Sequence, residues 1–240
     1  MSFSSKSWVL RGALAASALL PIATVATPAH AHGSTVNVVG YSIVKDAYTA
    51  LETAFKATPE GAGVTFTNSF GASGTQANNV VAGQAADVVN LSLEPDVTTI
   101  VNSGKIAANW KTQSIRYADL NPTFTGKRQQ TVYPTPGMVT DSIVVLVVRP
   151  GNPKNIKDWT DLTQSGLTII NPDPRSSGSA KWNLLAAYSA ALSSGKTSAK
   201  AQDFLGQVIK NITIQPTSGS LALAPFIAGN GDVLLSYEDD

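Results

Sequence analysis

Residues 167–192 read LTIINPDPRSSGSAKWNLLAAYSAAL. An apolar run at 167–170 is broken by Pro172 and Pro174, passes through Ser176-Ser-Gly-Ser179 and enters a helical pattern at Trp182. Strand, turn and helix in that order form the repeating unit of an α/β sheet. Strand-like runs recur at 36–39, 64–67, 87–91, 142–148, 167–170, 212–214 and 233–235. Several are apolar throughout, as expected of strands covered on both faces of a parallel sheet. Between them Val44, Tyr48, Leu51 and Phe55 make one helical stripe, Trp182, Leu185, Ala186, Ser189 and Leu192 a second, and Phe204, Leu205, Val208 and Ile209 a third. The pattern predicts mostly parallel sheets flanked by helices.

The segment 109–138 is less regular. It carries Lys127, Arg128, Gln129 and Gln130 and then Pro134-Thr-Pro-Gly137, and reads as an excursion or loop. Arg149-Pro-Gly-Asn-Pro153 then punctuates the chain, so a boundary between two lobes is expected within 142–153. The expected organisation is a first lobe over 32–143 and a second over 144–236.

The amino terminus is read as an address. Lys6 and Arg11 precede an apolar run from about Gly12 to Ala26, and Ala29-His-Ala31 supplies a small-residue cleavage signal. The run is shorter than the ~20 residues a membrane span needs, and Pro21 interrupts it. Residues 1–31 are therefore expected to be a signal peptide, leaving an exported chain without stable membrane insertion. Cleavage after Ala31 removes Lys6 and Arg11, two of 17 basic residues set against 16 acidic ones, so the formal charge of +1 becomes −1.

Composition narrows the chemistry. With 14% charged residues and 43% hydrophobic, the 240-residue chain is not built for disorder. Its balanced charge lacks the basic footprint of a nucleic-acid binder. There is no cysteine, hence no disulfide framework or thiolate chemistry, and the two histidines, His30 and His32, flank the cleavage point. No GxSxG elbow, Ser–His pair or metal-ligand cluster is evident, so neither catalytic residues, nor a bound metal, nor a cofactor is expected. Glu238-Asp-Asp240 reads as solvated terminal acids, Asp87 and Asp96 as a strand-edge and a helix-start acid, and Arg175 and Lys181 as solvent-facing bases.

Open α/β sheets bind ligands at the carboxyl ends of their strands. The junctions there carry Gly40-Tyr-Ser42, then Ser69-Phe-Gly-Ala-Ser-Gly-Thr75, then Asn171 to Ala180. Two of them put Ser-Gly at a helix amino terminus. The first amides of a helix have no partner within it and carry partial positive charge. Glycine admits a ligand close to the backbone and serine adds a hydroxyl. Such a junction suits an anion, although a plain serine cap is the alternative for either one alone.

Taken in order, Phe70-Gly-Ala-Ser-Gly-Thr-Gln76, Ala86-Asp-Val-Val89, Val148-Arg-Pro-Gly-Asn-Pro-Lys154 with Trp159-Thr-Asp-Leu162, Asn171-Pro-Asp-Pro-Arg-Ser-Ser-Gly-Ser-Ala-Lys-Trp-Asn183 and Gly231-Asp-Val-Leu-Leu-Ser-Tyr-Glu238 resemble the periplasmic sulfate/thiosulfate-binding proteins of ABC importers. The resemblance runs from Val36 to Asp240. It implies a two-lobe periplasmic-binding-protein fold of type II, hinged, closing on a dehydrated sulfate dianion held by backbone amides and neutral side chains. It also implies membrane permease subunits as partners, a periplasmic location and a monomer.

Residue by residue, the resemblance places Ser73 in the first anion loop and Ser177, Gly178 and Ser179 in the second, with Ser179 where the family has glycine. A further backbone donor falls at Gly219 or Ser220. Ser42 stands where many members carry aspartate, and Tyr237 where many carry a tryptophan that donates to the anion; a strand-end core aromatic is the other reading of Tyr237. The family crosses back to its first lobe near Tyr237-Glu-Asp-Asp240 and continues beyond. The sequence is therefore expected to be a fragment, with 237–240 starting that return and with apolar surface exposed on the first lobe. Two other functions compete with anion capture for transport: an exported hydrolase of oxyanion esters and a sensor domain that reports an oxyanion.

Overall fold

A computed structural model describes residues 34–113 and 137–240. The signal peptide with its cleavage point, and most of the irregular segment before Gly137, lie outside the described residues.

The strands form two sheets. In the first, β1 (Thr35–Tyr41) is central, with β2 (Thr65–Gly71) and β3 (Val88–Asn90) parallel on either side. Helices α1 (Lys45–Lys56), α2 (Ser73–Val81) and α3 (Glu94–Asn102) follow the three strands, a short 3-10 turn, Ser42–Val44, leading into α1, and α4 (Trp110–Gln113) comes next. In the second sheet β4 (Val144–Val148), β5 (Ile169–Ile170), β6 (Ile212–Ile214) and β7 (Val233–Tyr237) lie in the order β4-β7-β5-β6. Helices α5 (Gly178–Ser193), α6 (Ser198–Asn211) and α7 (Gly219–Ile227) flank it. β5 pairs in parallel with β6 and β7, whereas β4 runs antiparallel to β7. An antiparallel strand is readily accommodated at the edge of a parallel sheet, where only one ladder has to be matched. The seven strands, the helices over 45–56, 178–193 and 198–211 and the mostly parallel sheets follow the sequence pattern, whereas the helices over 94–102, 110–113 and 219–227 are not predicted from periodicity.

The second sheet is covered on both sides, and its strands alternate between two cores. Ile169, Val233 and Leu235 face Ala187, Ala191, Phe204 and Val208, while Ile170 and Leu234 face Ala222 and Phe226. Each such fully buried Ile, Leu or Val contributes about 1.5–3 kcal/mol by leaving water. The first sheet has a smaller core of Val39, Ala77, Val80 and Ile100.

Two expected helix faces differ from those observed. The buried side of α5 is Ala180, Asn183, Ala187 and Ala191, whereas Trp182, Leu185 and Leu192 are 40–49% exposed. Small residues win this face because they let the helix backbone approach the sheet, where Asn183 Nδ2 donates to Leu235 O at 3.0 Å and to Asn171 Oδ1 at 2.9 Å. On α1, Val44 is buried before the helix begins, but Leu51 and Phe55 are 63% and 41% exposed. The inward position is instead Glu52, which accepts from Asn68 Nδ2 at 3.0 Å.

Arg149, at the end of β4, ties α7 to the sheet. Its Nε and Nη2 donate to Gly231 O at 2.8 and 2.7 Å, Nη1 donates to Phe226 O at 2.6 Å, and Nη2 also donates to Asn230 O. The guanidinium lies 3.9 Å from the Phe226 ring centroid. One planar fork thereby serves the carbonyls at the carboxyl end of a helix and stacks on its last aromatic. Arg149→Met is expected to lower unfolding free energy by about 2–3 kcal/mol in urea titration, with Arg149→Lys recovering less than half. An unchanged midpoint for Arg149→Met would show that the fork contributes nothing.

Candidate functional site

Three helices begin at one place. α2 starts at Ser73, α5 at Gly178 and α7 at Gly219, after β2, β5 and β6 respectively. None of the three has an acidic residue in its first turn. Ala72 and Ser218, which precede α2 and α7, make no capping bond from their side chains. Ser177 does cap α5, accepting from Ala180 N at 3.4 Å, which leaves the amides of Gly178 and Ser179 ahead of that bond. Three helix amino termini without an acidic residue in their own first turns so meet on one patch.

Contacts between the two sheets hold this patch together. Gly74 N donates to Ser176 O at 2.9 Å. A Cβ on Gly178 would stand 3.1 Å from Ser73 Cβ and 1.8 Å from Ser92 Oγ, so only glycine fits there as the structure stands. A Cβ on Gly219 would likewise meet Ser179 Oγ at 2.8 Å. Ser177 and Ser179 share a hydroxyl bond of 2.9 Å, and Ser220 N reaches Ser42 Oγ at 3.5 Å. Ser73 and Ser177 are each 2% exposed. Ser42, Ser73, Ser177, Gly178, Ser179, Gly219 and Ser220, seven of the eight positions expected from the sequence, therefore lie in one connected group.

Tyr237 stands on another wall. It ends β7, opposite Val144, and lines a cavity of about 460 Å³ with Tyr41, Asn90, Ser92 and Trp182. Burial pushes its phenol well above the ordinary value of 10.0, and nearby Tyr41, Asp240 and Asp239 push it further. Tyr41 is raised as well, by burial first, against a hydrogen bond with Thr140. Both phenols remain protonated donors at neutral pH.

The electrostatic frame of the patch is absent from the sequence reading. Asp96 is not a simple helix-start acid: it is 6% exposed and accepts from Ser73 Oγ at 2.6 Å. Lys181, expected in solvent, reaches across from α5 to Asp96 at 3.4 Å. Trp182, expected in the core, donates from Nε1 to Ser92 O at 2.9 Å. Pairs more than 80 residues apart along the chain give no periodicity from which such contacts could be found. Arg175 does face solvent, paired with Asp173 at 2.6 Å, and holds that carboxyl below the usual range. At the carboxyl terminus Asp239 accepts from Ser142 at 2.5 Å, and Asp240 accepts from Ser236 Oγ and from Tyr237 N. Among the described residues no group of three acidic or histidine side chains could hold a metal, and no helix is long and apolar enough to cross a membrane.

The tyrosines give a direct test of this environment. Because folding raises both phenols, their contribution to stability is whole below pH 10 and fades as pH rises through the raised values. Tyr41 and Tyr237 are expected to ionise late in a phenolate absorbance titration, the late fraction falling in Tyr41→Phe and again in Tyr237→Phe. Ionisation of all six in one step near pH 10 would contradict the burial described here.

Comparison with known proteins places the fold and the site in context. The chain is 36% identical over 248 residues to the sulfate-binding protein of Synechococcus elongatus, covering 97% of this chain and 65% of that protein. It is 30% identical over 217 residues to the thiosulfate-binding protein of Pseudomonas aeruginosa, covering 88% and 59%. Among solved structures the chain is similar to the sulfate-binding protein SubI of Mycobacterium tuberculosis, with 38% identity, a TM-score of 0.72 and coverage of 85% of this chain and 65% of that one. The architecture is that of type II periplasmic binding proteins. The chain thus spans about three fifths of the length of these relatives. A family model described as bacterial extracellular solute-binding protein matches residues 36–240, and the chain belongs to that family.

Proposed function

We propose that the chain is the extracytoplasmic solute-binding component of an ABC importer and captures a sulfate-class dianion, sulfate or thiosulfate. In this reading the first lobe covers 32–143 and the second 144–236, the ligand lies between them, and residues 237–240 begin the return to the first lobe. The signal peptide, cleaved after Ala31, delivers a monomer to the periplasm, where membrane permease subunits receive it.

One observation carries the proposal. Three helix amino termini, drawn from both sheets and free of acidic first-turn residues, open onto one buried patch of serines and glycines. A dianion resting there takes amides of Gly178 and Ser179 from α5 and of Gly219 or Ser220 from α7, with the positive end of the α2 dipole facing it, since Gly74 N and the Ser73 hydroxyl are already bonded to Ser176 O and Asp96. The positions at 42, 73, 177, 178, 179, 219 and 220 act as its cradle, and Tyr237 closes it from the cavity side.

The same arrangement accounts for selectivity. A fully ionised tetrahedral anion needs only donors. Monohydrogen phosphate brings an O–H that needs an acceptor, whereas the backbone amides that face the ligand in this reading can only donate. An unsatisfied buried polar group costs about 1–3 kcal/mol. The names of the relatives, sulfate-binding and thiosulfate-binding, support the same ligand class.

Titration calorimetry of the full chain with sulfate, thiosulfate, molybdate and inorganic phosphate tests the proposal. Sulfate or thiosulfate is expected to bind at least about 100-fold more tightly than phosphate at neutral pH, and Gly178→Ala, whose Cβ would collide with Ser92, to abolish that binding. No binding of either sulfur oxyanion, or turnover of a sulfate ester, would contradict it.

A further inference from the structure

Ser92 follows β3 by two residues, at the carboxyl end of the strand and so on the ligand side of a parallel sheet. Its backbone is pinned from both directions. Its N–H donates to Ser73 Oγ at 3.1 Å, and its carbonyl accepts from Trp182 Nε1, on the opposite side of the junction, at 2.9 Å. With the backbone fixed, the side chain points against Gly178, and Ser92 Oγ lies 1.8 Å from where a Cβ at that position would be. The oxygen thus fills the room left by the missing side chain at the first residue of α5.

That oxygen is buried, and its hydroxyl has no hydrogen-bond partner among the described residues. A buried hydroxyl left without a partner costs about 1–3 kcal/mol, and each such group in a folded protein calls for an explanation. Of the neighbouring hydroxyls, that of Ser73 is committed, and the single bond shared by Ser177 and Ser179 uses one of their two protons. Ser73 gives its proton to Asp96 at 2.6 Å and accepts from Ser92 N, while Ser177 and Ser179 are bonded to each other at 2.9 Å.

Resting on the reading above that this patch takes a sulfate-class dianion, we infer that Ser92 is a further ligand-contacting residue, its hydroxyl donating to the anion held by the first amides of α5. Ser73 then acts chiefly as the positioning residue. It turns its own proton to Asp96 and holds the Ser92 amide, and Ser92 supplies the donor. The bond from Trp182 to the Ser92 carbonyl forms across the junction between the sheets, so the donor is set only when the two sides are together.

Calorimetry of the full chain with sodium sulfate, comparing wild type with Ser92→Ala and Ser92→Cys, tests this. Both variants are expected to fold, Ser92→Ala melting no lower than the wild-type chain because it removes an unsatisfied hydroxyl, and to bind sulfate at least about tenfold more weakly, as for a lost hydrogen bond to a charged group. Cysteine retains a side-chain atom beyond Cβ but is a weak donor, so it separates donation from the simple loss of packing. Affinity within about twofold of wild type in Ser92→Ala would overturn the inference alone, as would wild-type affinity in Ser92→Cys beside a weakened Ser92→Ala. A wild-type chain that binds neither sulfate nor thiosulfate would overturn both this inference and the reading it rests on.

Discussion

The missing side chain at position 178 is the constraint on which the rest of the site depends. Because Gly178 has no Cβ, α5 comes to rest directly against Ser73 and Ser92 of the first sheet's loops. That approach brings Gly74 N within 2.9 Å of Ser176 O, Lys181 within 3.4 Å of Asp96 and the Trp182 indole within 2.9 Å of the Ser92 carbonyl. A side chain there would have to displace the Ser92 hydroxyl and would crowd Ser73 Cβ at 3.1 Å, at the centre of these three contacts. The amino terminus of α5 would then lie apart from that of α2, and the amides would no longer share one patch.

The charge arrangement follows from the same closeness. A buried carboxylate beside an anion site would oppose the anion unless neutralised, and Asp96 is met by a cation from the other sheet and by a hydroxyl from its own. The pair leaves the patch to its amides and hydroxyls. These favour an anion through dipoles fixed in place by the fold, without a mobile counter-ion.

Much of this was legible in the sequence, for physical reasons that can be located. The strands at 233–237 and 144–148 are apolar enough to be read as covered on both faces, and Ser-Gly at two helix starts pointed to unpartnered amides. The helix faces were less legible. On α5 the large apolar residues suggested one stripe, but close packing selected Ala187, Ala191 and Asn183, whose small size or hydrogen bonds matter more than hydropathy. On α1 the stripe ending in Leu51 and Phe55 is largely uncovered among the described residues. Ser92, Asp96, Lys181 and Trp182 gave no local signal at all, since their roles exist only once distant segments meet.

The central claim is that three helix amino termini form one donor patch for a single tetrahedral dianion. Anomalous diffraction from crystals of the full chain grown with selenate locates that ion without reference to protein density. The account predicts one strong selenium peak about 4 Å from the amide nitrogens of Gly178 and Ser179 and from at least one first-turn donor of α2 or α7, the distance set by a selenate oxygen hydrogen-bonded between selenium and nitrogen. A peak held only by surface lysines or arginines, with the patch at Gly178 empty, would contradict it.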